Sequence, residues 1–206
     1  MKILEKYFPE FSEEQMKKFN FLKEQIILWN SSINVISRKD IDNFDINHLL
    51  HSLSIAKVIQ FVSGTKVLDI GTGGGFPGLP LAIAFTEVEF HLIDSIGKKI
   101  KVVDAISKEL NITNVTCQQI RAEDLRSKYD FIVSRAVTAL PNFMNFTSGK
   151  FLKENKNSLS NGILYLKGGD YKEELETINK NYRIFPISSY FEEEYFEEKD
   201  IVYIEH

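Results

Sequence analysis

Apolar residues recur at intervals of three and four from Met16 through Phe19, Leu22 and Ile26 to Trp29, the spacing of one helical face. Ser12 and Gln15 have capping-box spacing at the head of that run, so the pattern predicts an amphipathic helix over about 12–29. Polar Asn30, Ser31, Ser32 and Asn34 end it, and Leu49, Leu50, Leu53, Ile55, Ala56 and Ile59 predict a second helix near 45–62. From residue 66 the period changes. Short apolar runs alternate with longer amphipathic stretches, which is the pattern of βαβ units and a parallel sheet. Five strands are predicted, at Lys66–Ile70, Val88–Ile93, Val115–Ile120, Phe131–Ser134 and Ile163–Leu166, with helices near 78–85, 97–110, 140–155 and 171–180. Two further strand-like runs, Tyr182–Tyr190 and Ile201–Glu205, flank Glu192-Glu-Glu194 and predict a closing antiparallel hairpin. The expected fold class is α/β: a mostly parallel sheet with a C-terminal antiparallel hairpin, preceded by N-terminal helices. Residues 1–62 are expected to form a helical preface packed on a core domain of residues 63–206.

With 206 residues, 43% hydrophobic and 26% charged, the chain can bury a core without metal or disulfide staples. Cys117 is the only cysteine, which excludes an internal disulfide and a multi-cysteine zinc site and fits a reducing, cytoplasmic compartment. The N-terminal MKILEKYFPEF carries Pro9 and two glutamates where a signal peptide would be apolar, and no stretch reaches 18 uncharged apolar residues. No membrane association is expected.

The net charge of −4 is unevenly spread. Residues 173–206 hold 10 Asp/Glu against 3 Lys/Arg, leaving the rest of the chain at +3. Lys98, Lys99, Lys101, Arg121, Arg126, Lys128, Arg135 and Lys167 lie in that remainder, a distribution that permits a polyanionic partner or an ordinary solvated surface.

The first strand runs into Asp69-Ile-Gly71-Thr-Gly73-Gly74-Gly75-Phe-Pro77-Gly78. Five glycines in eight residues at a strand-to-helix junction are costly unless backbone must turn sharply against a ligand, so a nucleotide-like ligand is expected there. Two registers compete. Gly73-x-Gly75-x-x-Gly78, with Asp94 some 21 residues beyond Gly73, satisfies the dinucleotide fingerprint of dehydrogenases. Asp69-x-Gly71-x-Gly73-x-Gly75 resembles the loop of class I methyltransferases. A dehydrogenase needs a second half to hold nicotinamide and substrate, and about 86 residues ending in a hairpin-like pattern follow Ile120. The methyltransferase register accommodates that ending.

Several segments together resemble one family, the bacterial small-subunit rRNA guanine-N7 methyltransferases historically called glucose-inhibited division protein B. They run from about Trp29 to Glu173: Asn34-Val-Ile-Ser37, His48-Leu-Leu-His-Ser-Leu53, the loop from Val67 to Ala82 with its Phe76-Pro77-Gly78 extension, Leu92-Ile-Asp-Ser95 with Lys98-Lys99, Arg121-Ala-Glu123, Ser134-Arg-Ala-Val137 and Leu166-Lys-Gly168. The resemblance implies a class I Rossmann-like fold that uses S-adenosyl-L-methionine. It assigns Gly71, Gly73 and Phe76 to the cofactor loop, with Asp69 shaping that loop around the methionine part. Asp94 is assigned to the ribose and Ala122 with Glu123 to the adenine. Arg135 would hold the cofactor carboxylate or a substrate phosphate; read from the residues alone, a structural ion pair with Asp69 or Asp130 competes with both. Lys98, Lys99, Arg121 and Lys167 follow or end elements at the ligand edge of the sheet and are the RNA-contact candidates. The acidic tail is expected to face away from that edge.

The chain departs from the commoner family form at His51, where that form has an acidic residue, and at Val35-Ile36, where it has Leu-Thr. His48 and His51 are three apart with no third ligand at fitting spacing, so a hydrogen-bonded or capping role is expected and no metal. The implied partner is 16S rRNA, acted on at a guanosine of its 530 loop within a small-subunit particle, by a monomer. No Asn/Asp-Pro-Pro-aromatic motif follows the fourth strand, which disfavours adenine N6, and Cys117 lies inside the third strand, which disfavours a cytosine-C5 nucleophile. Guanine N7 has a free lone pair, so its methylation requires alignment and no general base. A class I methyltransferase with a small-molecule or protein substrate, or a noncatalytic RNA-binding protein retaining the pocket, would share most of these features.

Overall fold

The computed structural model describes residues 1–37, 40–135 and 137–206. Helix α1, Lys2–Tyr7, is one short turn ahead of Pro9 that the periodicity does not reveal. Helix α2, Glu13–Asn30, follows with the Ser12–Gln15 capping box formed and Phe19, Leu22 and Ile26 buried on one face. At its end the buried Asn30 carboxamide accepts from the backbone N–H groups of Val35 and Ile36 at 2.8 and 3.0 Å, which pins the segment leading to the site.

The expected single helix over 45–62 is broken. A π-helical turn at Asp45–Leu50 leads into α3, His51–Leu53, and α4, Ile55–Val58, and the chain is extended at Ile59. Ser52 and Ser54 donate their hydroxyls to the carbonyls of His48 and His51, each at 2.6 Å, and this competition bends the ladder.

The sheet then forms as expected, with β1 Lys66–Ile70, α5 Gly78–Ala84, β2 Glu89–Asp94, α6 Gly97–Glu109, β3 Val115–Gln119, β4 Phe131–Arg135, α7 Leu140–Thr147 and β5 Gly162–Gly168. Helix α8, Lys172–Glu176, β6, Tyr182–Pro186, and β7, Lys199–Glu205, complete the chain. The order is β3-β2-β1-β4-β5-β7-β6, parallel through β5, with β7 antiparallel to both neighbours. Consecutive residues of β4 divide between the faces: Phe131 and Val133 join the hydrophobic cluster that contains Leu22, Val67 and Leu92, whereas Ile132 joins the cluster of Leu68, Phe143 and Tyr165. Burial on both faces explains why the inner strands β4 and β5 read as largely apolar runs, whereas the edge strand β3 is half-exposed.

Three expected elements are shorter. Helix α7 stops at Thr147, before Gly149 at φ +73°, and α8 ends at Glu176. Strand β6, expected to reach Tyr190, ends at Pro186, which has no N–H for the ladder, and two single 3₁₀ turns, Ile187–Ser189 and Glu194–Phe196, lie in the connection to β7.

Candidate functional site

Strand order places the C-terminal ends of β2 and β4 on either side of β1, so the glycine loop after β1 is flanked by Asp94 and Arg135. A cleft of about 920 Å³ opens there. The loop leaves β1 through Gly71 at φ +69°, where a Cβ would come within 2.5 Å of Val137. Asp69 organises the turn from beneath: its Oδ2 accepts the Thr72 hydroxyl at 2.6 Å and the Gly78 N–H at 3.0 Å, and a Cβ on Gly78 would lie 2.7 Å from that oxygen. Full burial pushes the Asp69 carboxyl up to about 7, and its Oδ1 has no partner among the described residues. Phe76 is buried under the loop, its ring 5.7 Å from Phe44 and 5.1 Å from His48.

Asp94 ends β2 with 8% of its surface exposed. Its Oδ2 accepts the Gly73 N–H at 3.1 Å and its Oδ1 the Ile96 N–H at 2.8 Å, which fixes the carboxylate while lone pairs remain toward the cleft. Ile93, Ile120 and the buried Ala122 give the same end an apolar lining, and Glu123 sits beside them, exposed, in the 3₁₀ turn Ala122–Asp124.

Across the loop, Arg135 ends β4. Its guanidinium donates to the Asn47 carbonyl at 3.0 Å and to His48 Nδ1 at 2.8 Å, with its Cζ 5.2 Å from the Phe76 ring centre. The ion-pair alternative for Arg135 is corrected. Neither Asp69 nor Asp130 bonds to it; Asp130 accepts the Lys66 N–H at 2.7 Å and pairs with Lys156 at 3.1 Å. The anchors of Arg135 are neutral, since burial and the guanidinium charge hold His48 down at about 3. His51, also buried, is held well below the usual histidine range by burial and the charges of Arg135 and Lys199, and its Nδ1 lies 3.4 Å from the Tyr195 hydroxyl.

The expected site residues Asp69, Gly71, Gly73, Phe76, Asp94, Ala122, Glu123 and Arg135 therefore surround one cleft, Asp69 as its buried support. Ala136, within the Ser134–Val137 segment, lies outside the described residues. Of the basic candidates, Lys99, Arg121 and Lys167 line the cleft, while Lys98 is exposed beside it. Lys167 is committed to Glu174, at 2.9 and 3.2 Å. The expectation for the acidic tail is overturned in part. Because β7 runs antiparallel to β5, Lys199 pairs with Gly168 at the carboxyl edge, and Tyr195, Glu198 and Lys199 form a wall of the cleft. Asn47 and that wall were missed, because nothing local marks them: Asn47 meets Arg135 and Tyr195 meets His51 from 88 and 144 residues away in sequence.

The chain matches the sequence profile of the family described as GidB, rRNA small subunit methyltransferase G, over residues 14–199. A protein of Christiangramia forsetii named Ribosomal RNA small subunit methyltransferase G is 54% identical over 207 residues, covering 99% of this chain and 96% of its own. One of the same name from Cytophaga hutchinsonii is 52% identical and is covered over 99% of both chains. Among solved structures, a SAM dependent methyltransferase from Aquifex aeolicus superposes with a TM-score of 0.56 at 16% identity over 82% of this chain and 98% of that one. A point mutant of MtNAS in complex with S-adenosylmethionine gives 0.54 at 12% identity over 94% and 72%. At such identities the structures speak to the shared fold alone. The sequence matches go further: the chain belongs to the rRNA small subunit methyltransferase G family.

Proposed function

We propose that this protein transfers a methyl group from S-adenosyl-L-methionine to N7 of a guanosine in the 530 loop of 16S rRNA, guanosine 527, within a small-subunit ribosomal particle. The coarser part, methylation of small-subunit rRNA, rests on family membership. The observation that carries the cofactor reading is the pair of opposite charges flanking the glycine loop, Asp94 on one side and Arg135 on the other. A nucleoside that bears an amino-acid tail fits that pair, its ribose hydroxyls donating to Asp94 and its carboxylate meeting Arg135. The apolar lining of Ile93, Ile120 and Ala122 suits adenine, and Asp69 Oδ2, which accepts from Thr72 and Gly78, supports the loop from below.

When bound, the cofactor supplies an electrophilic sulfonium methyl. The chain's own task is then to hold the acceptor in line and to keep water away. Guanine N7 attacks with a lone pair that carries no proton, so no side chain has to act as base. The titratable groups nearest Arg135 agree with that assignment, because His48, held down at about 3, and His51, held well below the usual histidine range, are too weakly basic to take a proton readily. Borohydride and aniline cleavage at N7-methylguanine, read by primer extension on rRNA from cells with and without the gene, is expected to show one stop lost with the gene. An unchanged stop pattern removes the N7 assignment.

A further inference from the structure

Arg135 is held in an unusual way. A guanidinium set back in a cleft ordinarily pairs with a carboxylate. Here both anchors are neutral, the Asn47 carbonyl at 3.0 Å and His48 Nδ1 at 2.8 Å, and among the described residues no carboxylate forms a salt bridge with Arg135. The π-helical turn Asp45–Leu50 makes this grip, since it presents a backbone carbonyl and the next residue's ring to the same guanidinium. The imidazole cannot swing away: it is 5% exposed and wedged between Phe44, at 5.5 Å, and Phe76, at 5.1 Å. To accept through Nδ1 it must carry its proton on Nε2, which is buried without a partner among the described residues. That cost is sustained at a ring whose other nitrogen orients the arginine.

We propose that His48 is a positioning residue: a neutral acceptor that aims the Arg135 guanidinium at the carboxylate of the cofactor's amino-acid tail while leaving its positive charge unspent. This rests on the cofactor reading above. Two of the five N–H donors of Arg135 go to Asn47 and His48, and three remain for an anion. An aspartate in place of His48 would hold the guanidinium as firmly but neutralise it. An apolar residue would leave the charge intact but unaimed. The residue at position 48 must therefore be both an acceptor and uncharged, a condition that histidine meets and that asparagine, whose Oδ1 takes the place of Nδ1, also meets.

The test compares two nucleosides that differ in the tail. S-adenosylhomocysteine carries the carboxylate; 5′-methylthioadenosine lacks the whole amino-acid end. Calorimetric affinities for both would be measured on the wild-type chain and on His48→Leu, His48→Asn and His48→Asp, with thermal unfolding as a check on folding. His48→Leu and His48→Asp are expected to lose about tenfold or more in affinity for S-adenosylhomocysteine, the scale of one charge-assisted hydrogen bond, and less than about twofold for 5′-methylthioadenosine. His48→Asn is expected to stay within about threefold of wild type for both. Equal losses for the two nucleosides in His48→Leu, or no loss in His48→Asp, overturn the positioning role. Wild-type protein that binds neither nucleoside overturns the cofactor reading itself, a result that the variants cannot mimic.

Discussion

His48, His51 and Asp69 are buried groups whose protonation differs between the folded and unfolded chain, so stability should follow pH in a direction that can be worked out. Both histidines stay neutral in the folded protein, His48 down to about 3, whereas an unfolded histidine takes a proton near 6.5. Their contribution is full above about pH 7 and is lost as pH falls below the unfolded value. Asp69 has the opposite sign. Its carboxyl, pushed up to about 7 from 3.8, binds a proton in the folded chain first, which favours the fold as pH drops through that window. His91, also held down by burial, adds to the histidines' side of the balance, so stability is expected to fall as pH drops from about 6 to about 4. Urea denaturation across that range checks it; a flat or rising curve contradicts the assigned protonation states. Asp94 offers a separate test, of binding. Asp94→Ala is expected to cost about 1.5–3 kcal/mol in S-adenosylmethionine affinity, because it removes charged acceptors for the ribose and also frees the Gly73 and Ile96 N–H groups that hold the loop. Calorimetry showing no change would remove Asp94 from the ribose site.

At the scale of elements, what could be read in the chain and what could not divide along a physical line. Strands β1, β2, β4 and β5 were legible because parallel strands covered on both faces are largely apolar, the half-exposed edge strand β3 by its place in the alternation of strands and helices, and α2 because its cap and its buried face are local. The glycine loop was legible for a related reason, since its demands on backbone fall within ten residues. Helix ends were less so: α7 was drawn to 155 but breaks at Ser148-Gly149, and the helix drawn over 45–62 bends where Ser52 and Ser54 bond back to its own carbonyls. The anchors of Arg135 were beyond reach, because Asn47 and His48 meet it from 88 and 87 residues away. One long-range contact of this kind sets the start of α7. Glu174 Oε2 accepts the Leu140 N–H at 2.6 Å, a capping bond supplied from α8. Glu174→Ala is expected to destabilise the protein by about 1 kcal/mol, and Glu174→Gln, which keeps an acceptor, by less. Equal urea midpoints for Glu174→Ala and wild type would show that the bond contributes nothing.

The whole molecule is acidic, yet the proposed substrate is a polyanion, so the charge that matters must be local to the cleft. The structure changes how that local charge is counted. The acidic tail does not stay at the far side of the sheet: α1 ties part of it down, with Lys6 on Glu192 at 2.7 Å and the Tyr7 hydroxyl on Glu193 at 3.0 Å, and the chain then passes Tyr195 and Glu198 along the cleft. Lys167, pointed at from sequence as a phosphate contact, is already balanced by Glu174, and its side chain is only 11% exposed. Lys99 and Arg121 line the same cleft without a salt-bridge partner among the described residues. Each phosphate neutralised by a cation releases counterions, so the salt dependence of binding counts the cations that engage. The double variant Lys99→Ala/Arg121→Ala is expected to flatten the slope of log affinity against log salt by about two units on small-subunit particles, while Lys167→Ala leaves it nearly unchanged. Glu174→Ala, which frees Lys167, is expected to steepen it by about one unit. If Lys167→Ala alone flattens the slope by a full unit, the Lys167–Glu174 pair opens when RNA binds, and the path of the RNA runs over the end of β5 rather than along the ends of β2 and β3.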